Sequence, residues 1–299
     1  MDETAKKSGF SSGFCLPLFY SEKELLNTEQ NEYYRLVLVE KGSGFVHFNG
    51  EKRLMVPPAI FCLNETDRVT ISAISGWVAE SIAFHPRIVN QNLNYIRIKE
   101  KPTDSITERL DFDSLRPFIK RDKEHSGQYH VGPATFQHLK QLVRSIGDQL
   151  HNPSDKFWPC RSRTSLLEIL FFLFRLSIDG NRLDELPIKG ESGWADQVIL
   201  YLVRNYRQKI TIEELTKTFN LNRNTLYQIF HEATGLPLIT YLIKLRVKMA
   251  AVLLRETSLP VTEIMEQVGF SDLTHFGRVF KKETGSAPSE YRTLHKPSV

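Results

Sequence analysis

The sequence predicts an α+β chain in two parts: an N-terminal β-barrel with a helical pair, then an all-α domain of two helix-turn-helix units joined by a long helix. Three observations predict this. Residues 33–84 carry short apolar runs separated by turn residues. Two helical patterns follow before residue 178, one with a narrow apolar seam and one apolar nearly all round. Residues 211–292 contain the same unit twice. In the first copy Leu226, Phe230, Thr234, Gly235 and Tyr241 stand in order; Phe276, Phe280, Thr284, Gly285 and Tyr291 follow fifty residues later at identical spacings. Upstream, Ile212, Leu215 and Phe219 are echoed by Val261, Ile264 and Val268 forty-nine residues on. The offset changes between Leu221 and Leu226, where a turn is expected.

A chain of 299 residues accommodates two ordinary domains, read here as 1–178 and 194–299 with a linker at 179–193. The net charge of +4 is unevenly placed: from Trp194 to Val299 there are 14 Lys+Arg against 10 Asp+Glu, leaving 25 against 25 elsewhere. The positive excess therefore lies where a polyanion would be met, although it is small. Cys15, Cys62 and Cys160 are scattered, with no CxxC, which predicts a reducing compartment and no disulfide framework. The start, Met1-Asp2-Glu3-Thr4, lacks the basic-then-apolar order of a signal peptide. The greasiest run, Leu166 to Phe174, is too short to span a bilayer and contains Glu168. A cytoplasmic protein that makes no use of a membrane is expected.

Tyr33 to Val39 reads as a strand, Lys41-Gly42-Ser43-Gly44 as a turn and Phe45 to Phe48 as a second strand. Asn49-Gly50 is the strongest short hairpin signal. Arg53 to Val56, Ala59 to Leu63, Val69 to Ile74 and Val78 to Phe84 continue the series, as a small barrel or jelly roll would. A metal-dependent barrel enzyme needs two or three His with a carboxylate. His47 is the only His on these strands and His85 stands before Pro86 at a strand end, so a binding cup without metal or other cofactor is expected.

Residues 89–132 are charged and show no clear period. Phe136, Leu139, Val143, Ile146 and Leu150 then recur at alternating spacings of three and four, a seam of the coiled-coil type. Arg163 to Ser177 is apolar nearly all round and should be buried. The seam beside this helix predicts a homodimer interface; the alternative is that both helices cover the barrel. Asp179 to Ser192 has the Gly, Pro and charge of a linker.

In the C-terminal part, Val198, Tyr201, Leu202 and Tyr206 give a first helix an apolar stripe. Thr211-Ile212-Glu213-Glu214 is a capping box, with Ile210 and Leu215 as hydrophobic staple, so a helix starts at Ile212 and ends at a turn at Asn220-Leu221. Asn222 caps the next helix, which Gly235 closes. Its outward residues are Arg223, Asn224, Tyr227, Gln228 and His231; the second copy presents Leu273, Thr274, His275, Arg278 and Lys281. Side chains suited to base edges or phosphates thus sit near both helix N-termini, where a recognition helix meets the major groove of double-stranded DNA. A solvated face explains either helix alone; two such faces at matched positions of a repeat point to DNA. Between the units, Pro237 to Arg255 reads as one helix of roughly 27 Å, a rod long enough to hold two recognition helices near one DNA turn apart, ~34 Å. Lys244, Arg246 and Lys248 lie off or beside its stripe as candidate phosphate contacts, with an internal ion pair equally open to Arg246. Lys282 is a further phosphate candidate.

The region from about Trp194 to Arg292 closely resembles the DNA-binding domain of AraC/XylS-type transcription regulators. The resemblance is carried by Arg246, Ala250 and Leu253-Leu254; by Val261-Thr262-Glu263-Ile264 and Gly269-Phe270-Ser271-Asp272; by the run Phe276 to Gly285; and by Pro288-Ser289-Glu290-Tyr291-Arg292. Tyr33 to Phe84, mainly through Gly42-Ser43-Gly44 and the strand order, resembles more weakly the family's cupin-like sensing barrel. The resemblance implies base contacts near Asn224, Tyr227 and Gln228 with Arg223 alongside, and near Leu273, Thr274 and Arg278 with His275 alongside. It also implies RNA polymerase as a partner and a bacterial, nucleoid-associated location. Thr216 and Met265 stand where the family usually has Ala, Gly277 replaces Ser or Thr, and Pro57-Pro58 replaces Pro-Gly.

The expected function is a sequence-specific DNA-binding regulator, an activator controlled by a small-molecule effector in the barrel. Two alternatives stay open: the same DNA binding under control of a protein partner, and a barrel enzyme with an appended DNA module. The last needs a metal cluster or nucleophile set that the sequence does not offer, so a non-enzyme is expected.

Overall fold

The computed structural model describes residues 16–23, 32–71, 76–99, 105–121, 127–153, 155–179 and 191–295. Strands β1 (Leu18–Ser21), β2 (Tyr34–Lys41), β3 (Gly44–Phe48), β4 (Glu51–Met55), β5 (Ala59–Leu63), β6 (Val69–Ile71), β7 (Val78–Phe84) and β8 (Gln128–His130) form two antiparallel sheets. One has the order β1-β7-β2-β5-β8; the other, β4-β3-β6, covers its inner face. The run Leu36-Val37-Leu38-Val39 is explained by burial on both sides of β2. Val37 and Val39 join Val46, Phe48, Met55 and Phe61 between the sheets, while Leu36 and Leu38 join Ile82 and Phe84 under helices. At the β3–β4 hairpin Asn49 and Gly50 have φ of 51° and 84°, as a type I′ turn requires, and Phe48 pairs with Glu51.

The strands read from sequence are present: Ala59–Leu63 and Val78–Phe84 have the expected ends, three others have ends moved by one or two residues, and of the run Val69 to Ile74 residues 72–74 lie outside the described residues. The pattern-poor stretch 89–132 holds three short helices, α1 (Tyr95–Lys99), α2 (Ile106–Ser114) and α3 (Arg116–Ile119), besides β8. Most are only three to five residues long, too short to display a period.

Helices α4 (Pro133–His151) and α5 (Trp158–Asp179) lie on the outer face of the five-stranded sheet. This corrects the reading of the seam as a dimer surface. Phe136, Leu139, Val143 and Ile146 are buried within the chain and Leu150 packs partly against the same core. A coiled-coil stripe and a core-facing stripe share one spacing; here the sheet supplies the apolar partner. Charged pairs hold the flank of α4: Lys140 Nζ donates to Glu40 at 2.7 Å, and Arg144 Nε to Glu80 at 3.0 Å. Of the expected linker, residues 180–190 lie outside the described residues.

The C-terminal helices are α6 (Glu191–Asn205), α7 (Ile212–Phe219), α8 (Arg223–Thr234), α9 (Leu238–Glu256), α10 (Val261–Gln267), α11 (Leu273–Thr284) and α12 (Pro288–His295). Of the apolar stripe of α9, Leu238, Leu242, Leu245, Met249, Val252 and Leu253 are buried and Tyr241 is half-buried, and Val247, Ala250 and Leu254 beside it are buried too. The wider burial follows from position: α9 packs against α8, α10, α11 and α12 and also touches β3. Phe45, Leu54 and Val56 of the barrel enter the same core, and Arg255 Nη2 donates to Ser43 O at 3.1 Å.

Candidate nucleic-acid interface

Each helix-turn-helix unit is built from local chemistry. Thr211 Oγ1 accepts from Glu214 N at 3.1 Å and the Glu214 carboxylate answers to Thr211 N, so the capping box starts α7. Asn220 ends it with φ 50°. Asn222 Oδ1 accepts from Thr225 N at 2.9 Å to start α8, and Gly235, φ 67°, closes it. In the second unit Asp272 accepts from His275 N, and Gly285, φ 88°, closes α11.

The repeat carries through to its packing contacts. Thr234 Oγ1 donates to Phe230 O at 2.7 Å and Thr284 Oγ1 to Phe280 O at 2.8 Å. The rings of Phe230 and Tyr241 meet edge to face at 5.4 Å, as do those of Phe280 and Tyr291. The repeated Phe, Thr, Gly and Tyr are therefore packing and capping residues, and the outward-facing candidates are those between them.

On α8, Arg223, Asn224 and Gln228 are exposed and Tyr227 is half-buried; Arg223 lies over the Tyr227 ring at 5.6 Å. Gln228 Nε2 donates to Glu232 Oε1 at 3.0 Å, which holds its amide along the helix. On α11, Leu273, Thr274, Arg278, Lys281 and Lys282 are exposed and His275 is half-buried against Phe270. Leu273 leaves 49% of its surface open, an apolar tip suited to a thymine methyl. All ten candidates thus lie on the two helices expected, eight of them in the N-terminal halves and Lys281 and Lys282 in the last turn of α11.

The three candidate phosphate contacts of α9, Lys244, Arg246 and Lys248, divide. Arg246 Nε donates to Tyr206 O at 2.8 Å and Nη2 to Gln208 O at 2.7 Å, so it ties α9 to the end of α6. Burial lowers its pKa, in keeping with an internal role. Lys244 pairs with Glu283 at 3.5 Å, and together with Lys248 it lines a cleft of about 70 Å³ facing Val56 and His130 of the barrel. For Arg246 the internal role replaces the phosphate contact read from sequence; Lys248 is exposed and Lys244 partly so. Met265 fits buried in α10, and Thr216 bonds back to Glu213 O at 2.9 Å. Among the described residues no three His, Cys, Asp or Glu side chains gather in a way that could hold a metal ion, and no helix is long and apolar enough to cross a membrane.

Residues 215–293 match the helix-turn-helix domain family and residues 27–170 the AraC-like ligand binding domain family. The chain belongs to the AraC/XylS-type transcription regulators. Among relatives of this family, the HTH-type transcriptional activator RhaS of Enterobacter sp. (strain 638) is 24% identical over 88% of this chain and 86% of its own. The activator RhaR of Salmonella schwarzengrund is 23% identical over 90% and 87%. The C-terminal domain of AraT, a response regulator from Geobacillus stearothermophilus, is 30% identical over 37% of this chain and 92% of its own, with a TM-score of 0.35.

Sequence reasoning missed one residue that bears on how the DNA-binding part is carried. Asp196 of α6 is buried between the domains, with Oδ2 accepting from Thr135 N of α4 at 2.9 Å. A lone Asp in an amphipathic helix gives no sequence signal for a partner sixty-one residues away.

Proposed function

We propose that this AraC/XylS-type regulator is a sequence-specific transcription activator of the bacterial cytoplasm, acting with RNA polymerase as a homodimer. It reads two short boxes through α8 and α11. The carrying observation is that two identically capped helices expose hydrogen-bonding faces at matched positions while one helix, α9, joins them. Its 19 residues at ~1.5 Å each span about 28 Å, near one turn of DNA. In the first unit Asn224 and Gln228 read adenine edges; in the second Arg278 reads guanine. The names of RhaS and RhaR support the activator role.

Control is by a small molecule acting through the N-terminal domain. Val37, Val39, Val46, Phe48, Met55 and Phe61 between the sheets are all 0% exposed, so no water-sized space adjoins them. That filling favours a second reading, in which the domain answers to a protein partner. A thermal-shift screen of the full-length protein against metabolites separates the two: stabilisation by one of them supports the small molecule.

Selection of genomic fragments by the full-length protein, read by sequencing, tests DNA reading. Enriched fragments sharing two boxes about one helical turn apart are expected. Enrichment of unrelated fragments in proportion to length would sink sequence-specific reading.

A further inference from the structure

One buried carboxylate lies in the joint between the two domains. Asp196 belongs to the first helix of the DNA-binding part and is 2% exposed. Its Oδ2 accepts from Thr135 N at 2.9 Å, at the start of α4. The residue in the usual capping position of that helix is Gly132, which has no side chain to cap with, and Pro133 follows at the first turn. Asp196 therefore supplies from another domain the oxygen that Ser, Thr, Asn or Asp normally supplies locally.

The fit leaves no room for a local cap. A Cβ on Gly132 would meet Asp196 Oδ1 at 1.8 Å and Asp196 Cα at 2.6 Å. Glycine is needed there because the Asp196 backbone sits against it, not because of a left-handed turn. Burial raises the Asp196 pKa, and hydrogen bonds from Thr135 and the Ala134 N–H oppose that rise. The other carboxylate oxygen, Oδ1, has no hydrogen-bond partner. An apolar residue there would leave the Thr135 N–H of α4 without its acceptor, so the carboxylate serves as a cap and not as filler.

The neighbours show what the contact positions. α4 touches both α6 and α8, and α6 packs along α8, the recognition helix of the first unit. The extensive contacts of α11 are with α9, α10 and α12. We propose that Asp196 is a cross-domain cap that fixes the first recognition helix to the N-terminal domain, so that through this contact the domain's state is passed to the first DNA box more than to the second, which meets the barrel chiefly through α9. Asp196 is a positioning residue; it lies off the exposed face of α8 that carries Arg223 and Asn224.

The DNA half of the test rests on the two-box reading above; the thermal half does not. Full-length protein is footprinted on recovered two-box fragments, with the box lost in Asn224→Ala marking the first unit. Asp196→Ala is expected to weaken protection of that box by about tenfold, within the usual worth of a lost cap, and to leave the second box near wild type. Asp196→Asn, which keeps a capping oxygen, should keep the wild-type pattern. Gly132→Ala attacks the contact from the other side and should reproduce the Asp196→Ala pattern, with circular dichroism confirming folded helices in each variant. In calorimetry the wild type should melt in one transition and Asp196→Ala in two. Equal loss at both boxes, failure of Asp196→Asn to retain the pattern, or wild-type behaviour of Asp196→Ala in both assays would overturn the proposal. Absence of any two-box fragment removes the DNA reading alone, and the number of transitions then decides the cap.

Discussion

The two helix-turn-helix units are the same object in different surroundings. The caps of their second helices, their Thr-to-carbonyl bonds and their Phe–Tyr contacts coincide, whereas α7 starts from a capping box and α10 from Pro260 without a side-chain cap. Their turns do not: Asn220 makes the first at φ 50°, and Gly269 makes the second at φ 88°. A Cβ at Gly269 would stand 2.7 Å from Tyr206 O and 2.9 Å from Arg207 O. The first unit leans on the barrel domain through α4, whereas the second is carried chiefly by α9 and its own neighbours. Repetition of sequence thus fixes how a unit is built, and the surroundings fix what each copy is coupled to.

The largest expected effects come from emptying the equivalent cores. Phe230→Ala and Phe280→Ala should each cost about 3–5 kcal/mol by denaturant unfolding. If the units differ in coupling as the contacts imply, Phe230→Ala disturbs the N-terminal domain as well, and Phe280→Ala leaves it intact. Equal disturbance of that domain by both variants would erase the distinction. Next come the turns: Gly269→Asn should destabilise by about 1–3 kcal/mol, through crowding against the two carbonyls, while Asn220→Gly stays within a few tenths. A tolerated Gly269→Asn would show that the second turn is no tighter than the first.

On DNA, Arg278→Ala should cost about 1–3 kcal/mol of specific affinity and much less on non-specific sequence. Equal losses on both would move Arg278 to a phosphate. The smallest change is expected for Lys282→Ala: affinity falls alike across sequences, and the slope of log affinity against log salt decreases by about 1. An unchanged slope removes Lys282 from the phosphate contacts.

Much of this was legible in the chain. Asn49-Gly50, the Thr211–Glu214 box, Asn222 and the two Thr-Gly pairs act through bonds spanning a few residues, so their residue types already specify the geometry. The exposed faces of α8 and α11 were legible for a related reason: the repeat marks which positions are spent on packing, and the rest face outward. The seam of α4 was legible as a stripe but not as to its partner, because Phe136, Leu139, Val143 and Ile146 suit a second chain or a sheet equally.

By itself, then, the sequence determined the local units, their order and the family they belong to, since periodicity and capping are short-range properties. Tertiary structure alone decided that α4 faces the sheet, that Arg246 binds the carbonyls of Tyr206 and Gln208, and that Asp196 caps a helix of the other domain. Each of those three depends on surfaces brought together from distant parts of the chain, and no spacing within one segment encodes which distant surface will satisfy a buried charge or an apolar face.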